Sequence, residues 1–245
     1  MLAPCSSSVS LKHHRLSINN IADIRIRASR SGASTQIKIC GVVSPEDASL
    51  AAQAGADFIG MIMWPKAKRS VSDDTAAKIA QVAARHGCAA VGVFVDEDPE
   101  TINRRCEQAG IHVAQLHGDG ARSSLPGLST ALEVIYVLHA QPDGNIVTPL
   151  PESMRTPEWL LVDGLQGGSG QALKWSELRP PPEHARKSGW LLAGGLRPGN
   201  VEEAVRTTRP SVVDVSSGVC GPDGLLKDHD MITSFVAAVK HADVV

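Results

Sequence analysis

The chain has few aromatic residues and almost no net charge. Its 245 residues include one Tyr, three Phe and four Trp, and its formal net charge is -2 at pH 7. A charge this close to zero gives no electrostatic reason to expect nucleic acid or an anionic membrane as a partner. No apolar run approaches the ~20 residues that a membrane-spanning helix needs. Small aliphatic side chains must therefore form most of the core.

Cysteines are few and lack the spacing of a structural framework. The five of them, at positions 5, 40, 88, 106 and 220, are odd in number and scattered along the chain. No Cys-x-x-Cys pair and no Cys/His cluster has metal-ligand spacing, which argues against both a disulfide scaffold and a zinc site. Free thiols fit a reducing compartment best. The chain also lacks Gly-x-Gly-x-x-Gly and P-loop motifs, so we expect no cofactor and no metal.

The first 34 residues differ in composition from the rest. This segment is rich in serine, its only acid is Asp23, and its Lys and Arg residues are Lys12, Arg15, Arg25, Arg27 and Arg30. A serine-rich, basic, acid-poor start is typical of an organellar transit peptide, and the continuous apolar core of a secretory signal is missing. We predict a disordered transit peptide over 1–34 and one catalytic domain over 35–245. A disordered basic tail is the alternative.

A regular alternation of helix and strand signals follows. Glycines that can close a helix stand just before β-rich runs at Gly55, Gly87 and Gly110. Ser44 can cap a helix whose first residue is Pro45, a position where proline is favoured. Alternating strands and helices over the whole length predict a parallel α/β fold.

Eight candidate strands can be counted, and most are continuous apolar runs, as expected for parallel strands buried on both faces. They are Gln36–Cys40, Phe58–Ile62, Ala89–Val95, Val113–Leu116, Leu132–Val137, Trp159–Asp163, Trp190–Ala193 and Val212–Val215. Eight units in 35–245 favour a single-domain (β/α)8 TIM barrel over an open sheet, although barrels are seldom much shorter than about 200 residues. The proline-rich stretches Pro142–Pro157 and Pro180–Pro182 are expected to be loops or degenerate helices.

In such a barrel the functional residues collect where the strands end. Cys40 and Asp163 end the first and sixth predicted strands, and His117 follows the fourth. Arg69 lies in a basic loop after the second, where its planar fork suits a substrate carboxylate. Two plainer interpretations stay open. Cys40 could be a small buried hydrophobic residue, and His117 could be a turn histidine with satisfied hydrogen bonds.

Two loops of small residues follow the seventh and eighth predicted strands. They contain Gly194 and Gly195, and Ser216, Ser217 and Gly218. Barrels often hold a phosphate at this place through backbone N–H groups, which glycines allow to approach closely. Tight turns also prefer Gly and Ser, but two such loops on adjacent strands favour a phosphate site.

Several segments together resemble the phosphoribosylanthranilate isomerase family, most closely its plant form. In chain order they are Lys38–Gly41, Met63–Pro65 with Lys68–Ser72, Val91–Phe94, Gln115–Gly118, Leu161–Asp163 with Gly167–Gly170, Leu192–Leu196 and Val213–Gly218. Each motif alone is modest, but the set in this order is highly specific. The match covers roughly 36–240.

The resemblance implies a (β/α)8 barrel that converts N-(5-phosphoribosyl)anthranilate to 1-(2-carboxyphenylamino)-1-deoxyribulose 5-phosphate. This Amadori rearrangement is the third step of tryptophan synthesis from anthranilate. The resemblance makes Cys40 the general base, Asp163 the general acid and Arg69 the partner of the anthranilate carboxylate. It places the phosphate on Gly194–Gly195 and Ser216–Gly218.

Further substrate contacts are expected from four residues near the strand ends, namely Gln115, His117, Gly168 and Asp214. The expected partner is the small-molecule substrate, and the protein is expected to be a monomer or homodimer. Plant members reside in plastids, which suits the composition of 1–34. One departure concerns Gln171, because the family often has lysine there. If that lysine contacts substrate, Gln171 cannot replace its charge.

Three other interpretations remain on sequence grounds. A pentose-phosphate epimerase would be expected to show metal ligands of His and Asp at its strand ends. An indole-glycerol-phosphate synthase would be expected to end a strand on a catalytic lysine, and none of the predicted strands does so. A barrel without catalytic activity would be expected to lose Cys40 or Asp163, and both are present.

Overall fold

The structure, a computed structural model, describes residues 34–164 and 173–244. The predicted transit peptide, apart from Ser34, lies outside the described residues, as do Gly168 and Gln171. The division into a transit peptide and a catalytic domain therefore stays a prediction.

Eight parallel strands form a closed barrel in the order of the chain, which confirms the predicted fold. They are β1 (Gln36–Ile39), β2 (Phe58–Ile62), β3 (Ala89–Phe94), β4 (Val113–Leu116), β5 (Glu133–Ala140), β6 (Trp159–Gly164), β7 (Gly189–Leu192) and β8 (Val212–Val215). The barrel closes between β1 and β8, where Lys38 is paired with Asp214. Predicted and observed strand ends agree to within one residue, except at β5, which ends three residues later than predicted.

The helices pack outside the barrel. In the described part of the chain they are α1 (Pro45–Ala54), α2 (Asp73–Arg85), α3 (Pro99–Ala109), α4 (Asp119–Ser123), α5 (Val201–Thr208) and α6 (His229–Ala242). Ser44 accepts a hydrogen bond from the backbone N–H of Asp47 and so caps α1, whose last turn is closed by Gly55 with φ 112. No α-helix lies in 141–158 or 173–188, as predicted for the proline-rich stretches.

The core has two layers because strand side chains alternate between the inside and the outside of the barrel. Residues such as Ile37 and Ile39 face the helices, whereas Phe58 and Trp159 belong to the cluster inside the barrel. The rings of Phe58 and Trp159 pack edge to face at 6.3 Å. Both residues begin their strands, so aromatic rings fill the amino-terminal end of the barrel. The cavity lies at the opposite end.

Candidate active site

A cavity of about 320 Å³ opens at the carboxyl ends of the strands. Eleven of the twelve predicted site residues line it, and the twelfth, Gly168, lies outside the described residues. They are Cys40, Arg69, Gln115, His117, Asp163, Gly194, Gly195, Asp214, Ser216, Ser217 and Gly218. The rest of the wall is mainly apolar and comes mostly from β2, β3 and the loops after them, with Ile62, Trp64, Ala67, Val93 and Val95.

Side chains near the strand ends reach the cavity because residues two apart in a strand share one face and can follow an inner-core residue on it. Leu161 packs in the inner core, and Asp163 two residues later reaches the cavity on the same face of β6. The same step leads from Val212 to Asp214 on β8. The carboxyl ends of seven of the eight strands, all but β5, therefore bring residues far apart in sequence to one cavity.

Cys40, directly after β1, lines the cavity although only 7% of it is exposed. Burial raises the pKa of its thiol, while the nearby charges of Lys38 and Lys227 oppose that rise. Lys38 is fully buried and donates a 2.8 Å hydrogen bond from Nζ to Oδ2 of Asp214. Burial alone would lower the pKa of Lys38, but the charges of Asp214 and Cys40 outweigh it, and the pKa is raised. A buried cation thus stands beside the thiol.

The position of the Cys40 side chain depends on a glycine in the neighbouring strand. A Cβ atom on Gly60 of β2 would lie 2.8 Å from Sγ of Cys40 and 3.1 Å from its Cα. Real Cβ atoms do not come that close to a neighbouring atom, so only glycine at this position leaves room for the thiol in its present place.

Asp163 lies near the end of β6 in surroundings that favour its protonated form. Burial is the main cause that raises the pKa of its carboxyl to about 6, and the charge of Asp214 adds to it. The backbone N–H of Gly164 donates to Oδ1 at 2.8 Å and works in the opposite direction. Gly194 has φ 88, and a Cβ there would lie 3.2 Å from Oδ1 of Asp163. The β7 loop therefore approaches this carboxyl closely.

Two histidines stand next to Asp163. Nε2 of His117 lies 3.9 Å from Oδ2 of Asp163, and the rings of His117 and His139 pack edge to face at 5.2 Å. Burial, together with the charges of Lys38 and Arg122, lowers the pKa of His117 to about 4. Burial also lowers the pKa of His139. At neutral pH both rings are therefore uncharged.

The loops after β7 and β8 form one wall of the cavity with their backbones. Gly194 and Gly195 both have positive φ, at 88 and 67, and the left-handed region is costly for other residues. At Gly218 a Cβ would lie 1.9 Å from the carbonyl oxygen of Leu196, so the two loops are in contact. The hydroxyl of Ser216 donates to the carbonyl of Cys40 at 3.0 Å, which ties the β8 loop to the end of β1.

Arg69 crosses from the β2 loop toward the β8 loop. Its Nη1 donates to the carbonyl of Gly224 at 2.8 Å, and its buried Nε has no hydrogen-bond partner. A Cβ on Gly41 would lie 2.8 Å from that Nε, so the guanidinium lies directly over the β1 turn. Two further buried acceptors in the cavity wall lack a partner, Oε1 of Gln115 and Oδ1 of Asp214. One donor and two acceptors thus remain for a ligand.

Sequence reasoning missed two residues of this site, Lys38 and His139. Lys38 had a signal, because a lysine two residues before Cys40 must share its face of the strand. His139 lies two residues past the predicted end of the fifth strand at Val137, whereas β5 runs on to Ala140 and pairs His139 with Asp163.

Neither a metal-binding cluster nor a membrane-spanning helix is found in the part of the chain that the structure describes. Within 34–164 and 173–244, no group of three or more His, Cys, Asp or Glu side chains could hold a metal ion. None of the helices described there has the length and apolar character needed to cross a membrane.

Known proteins match most of this chain. The family model for N-(5'-phosphoribosyl)anthranilate (PRA) isomerase matches residues 37–238. Isomerase 1 of Arabidopsis thaliana, named N-(5'-phosphoribosyl)anthranilate isomerase 1, chloroplastic, is 42% identical over 205 residues, covering 83% of this chain and 74% of its own. The crystal structure of the Thermotoga maritima isomerase superimposes with a TM-score of 0.71 at 31% identity, covering 84% of this chain and 99% of its own.

Another solved relative contains a ligand. It is a phosphoribosyl anthranilate isomerase in complex with reduced 1-(o-carboxyphenylamino)-1-deoxyribulose 5-phosphate, with a TM-score of 0.65 and 28% identity, covering 84% of this chain and 99% of its own. The family model spans well over half of the chain, and the sequence similarity extends over the same barrel. The chain belongs to the N-(5'-phosphoribosyl)anthranilate isomerase family.

Proposed function

We propose that this protein catalyses the Amadori rearrangement of N-(5-phosphoribosyl)anthranilate in tryptophan biosynthesis, with Asp163 as general acid and Cys40 as general base. One observation carries the assignment of roles. A buried carboxyl with a pKa of about 6 and a thiol beside a buried ammonium line the same cavity. An aldose-to-ketose rearrangement needs one proton delivered to the ring oxygen and one removed from the neighbouring carbon.

The substrate is oriented by the different walls of the cavity. The phosphate lies against the backbone N–H groups of Gly194, Gly195 and the Ser216–Gly218 turn. The anthranilate ring lies in the apolar sector that contains Trp64, and its carboxylate bonds to Arg69, whose buried Nε is unpartnered. This places the ribose between Asp163 and Cys40.

The reaction then proceeds in two proton transfers. Asp163 protonates the ring oxygen of the ribose, and the C1′–O bond breaks as the anilino nitrogen forms a Schiff base. Cys40, as the thiolate, removes the C2′ proton, and the electron pair moves to the nitrogen to give an enolamine. The enolamine tautomerises to the ketone. At this point Asp163 has lost one proton and Cys40 has gained one. The enzyme returns to its starting state when Cys40 releases its proton and Asp163 takes one up.

Turnover of freshly prepared phosphoribosylanthranilate, followed by loss of its fluorescence, tests this function. Wild type is expected to consume it, and Cys40→Ala is expected to lose about 100- to 10,000-fold in the single-turnover rate. Cys88→Ala is the matched control, because Cys88 is also buried but precedes β3 at the other end of the barrel. Near-wild-type chemistry in folded Cys40→Ala would mean that Cys40 is only a core residue.

We also propose where the protein acts and how it assembles. We infer import into the chloroplast stroma, supported by the composition of 1–34 and by the chloroplastic relatives. A fusion of 1–34 to a fluorescent protein should be imported and shortened by isolated chloroplasts, and a fusion that stays outside would contradict the inference. Protein that starts at Ser34 should fold and stay fully active, and sedimentation should give a monomer or homodimer.

A further inference from the structure

Arg122 is a buried cation that the reaction scheme does not use. Its side chain is 9% exposed, and it lies on α4 behind the cavity. Nη1 donates to the backbone carbonyl of His117 at 2.6 Å and lies 3.5 Å from Nδ1 of His139. Its Nη2 forms an ion pair with Asp119, whose own side chain is 98% exposed. One guanidinium therefore joins the ends of β4 and β5.

Arg122 and Thr148 both contact Nδ1 of His139, at 3.5 Å from Nη1 and 3.4 Å from the hydroxyl oxygen. A guanidinium can only donate hydrogen bonds, so its contact favours the tautomer in which Nδ1 accepts and the ring proton is on Nε2. The ring held in this way packs edge to face against His117 at 5.2 Å. His117 in turn lies 3.9 Å from Asp163. A continuous chain of contacts thus runs from Arg122 through the two histidines to Asp163.

His117 and Asp163 are close enough to compete for one proton, and where that proton resides decides whether Asp163 can donate it. If His117 held it, the two would form an ion pair and Asp163 would be a carboxylate, which cannot act as an acid. With the pKa of Asp163 at about 6 and that of His117 at about 4, the single proton resides on Asp163.

We propose that Arg122 is a positioning residue that anchors the His117–His139 pair and keeps the shared proton on Asp163. The proposal rests on the proposed role of Asp163 as general acid. Arg122 acts in two ways, since its hydrogen bonds hold both histidines and its positive charge opposes a second positive charge on His117. The other charged or titratable groups that act on the His117–His139 pair are Lys38 on β1, Asp163 on β6, Asp214 on β8 and Asp119 on α4.

Histidine ¹⁵N NMR on the ligand-free full chain tests the proposal, with the His117 signal assigned by its loss in His117→Gln. In Arg122→Met the charge is lost and water gains access, so the pKa of His117 should rise by about one unit. One pKa unit is a tenfold change in the equilibrium constant for moving the proton from Asp163 to His117. Arg122→Gln, which can still donate to the His117 carbonyl, should behave like Arg122→Met. Arg122→Lys keeps the charge and should stay close to wild type.

Arg155→Met is the matched control. Arg155 also donates to backbone carbonyls, those of Leu128, Ser129 and Leu132, but these lie just before β5 at the opposite end of the barrel. The control should leave the His117 titration unchanged even if it lowers the melting temperature. An unchanged His117 titration in both Arg122→Met and Arg122→Gln would overturn the proposal. An equal rise in Arg122→Lys would overturn it as well.

Enzyme kinetics give the second readout. Arg122→Met should lower kcat several-fold, because the histidine pair beside Asp163 loses its anchor. KM should stay within about twofold, because Arg122 does not line the cavity. Since the titration uses ligand-free protein, its result does not depend on whether Asp163 is the acid. Full activity of Asp163→Asn would instead refute the proposed role of Asp163 as general acid and leave the proton distribution as measured.

Discussion

The two sides of the barrel mouth differ in the charge of their buried side chains. On the β1–β8 side, Lys38 and Asp214 form a buried ion pair, and a second buried lysine, Lys227, donates to the carbonyl of Ser216. On the β4–β6 side, burial favours the neutral forms of His117, His139 and Asp163. The thiol faces the charged side and the carboxyl faces the neutral one.

This difference matches the opposite demands on a base and an acid. Burial raises the pKa of both Cys40 and Asp163, which favours the neutral form of each. A proton donor must be in its neutral form, and burial in apolar surroundings is enough to favour that form of Asp163. A proton acceptor needs the charged form, and the charges of Lys38 and Lys227 work against the burial of Cys40. The predictions below test this contrast.

The largest effect is expected at the neutral side. Asp163→Asn keeps the shape of the side chain but has no proton to give, so kcat should fall about 100- to 10,000-fold. Binding of a reduced product analogue should persist, because Asp163 is assigned to neither the phosphate nor the carboxylate. Stopped-flow single-turnover rates and calorimetric binding check the two parts. Equal losses of binding and rate would instead make Asp163 a binding residue.

On the charged side, Lys38→Met removes the buried cation beside Cys40. This leaves Asp214 buried without its cation, which typically costs about 3–5 kcal/mol in the free energy of unfolding. Losing the cation should also raise the pKa of Cys40 and lower kcat at pH 7 about tenfold or more. The double variant Lys38→Met/Asp214→Leu separates the two effects, because it should regain stability without regaining activity. Recovery of both would show that Lys38 is only structural.

A smaller effect is expected from moving the thiol without removing it. Gly60→Ala places a methyl group 2.8 Å from Sγ of Cys40, so the side chain must shift. Misplacement on this scale should lower kcat by about 10- to 100-fold. Gly199→Ala is the control, since nothing lies within 4 Å of a Cβ there. If both variants turn over at the wild-type rate, the placement of Cys40 is not critical.

The smallest effect concerns stability against pH. The pKa of Asp163 is about 6 in the folded protein, above the ordinary value of 3.8, so the folded state binds more protons in this window. Stability from this group is therefore fully present below pH 3.8 and is lost as the pH rises toward 6, by about 1.4 kcal/mol per unit. Urea unfolding at pH 4 and pH 7 should show Asp163→Asn gaining on wild type at the higher pH. A constant difference would contradict the raised pKa.

The strand-end residues could be predicted because parallel strands bring their carboxyl ends to one edge. Cys40 and Asp163 each follow an apolar run, and the glycines after β7 and β8 stand out from the aliphatic sequence around them. Closure of the barrel then puts them around one cavity. No knowledge of side-chain contacts was needed for this part.

The charged and polar contacts of the site residues could not be predicted from the sequence in the same way. The partner of Lys38 is Asp214, 176 residues away, and the two meet only because β1 pairs with β8. The planar fork of Arg69 was predicted to suit a substrate carboxylate, but the hydrogen bond from its Nη1 to the carbonyl of Gly224 could not be foreseen. His139 depends on where β5 ends. Burial and long-range contacts decide these features, and local sequence carries little information on either.

The central claim is that the barrel mouth raises the pKa of Asp163 to about 6, which keeps about a tenth of this carboxyl protonated at pH 7. A ¹³C NMR titration of the aspartate carboxyls in ligand-free protein tests it most directly, with Asp163→Asn to assign the signal. The account predicts one carboxyl with a midpoint near pH 6 that is absent from the variant. A midpoint for Asp163 near 4 would leave only about one carboxyl in a thousand protonated at pH 7, and the assignment of Asp163 as the proton donor would fail.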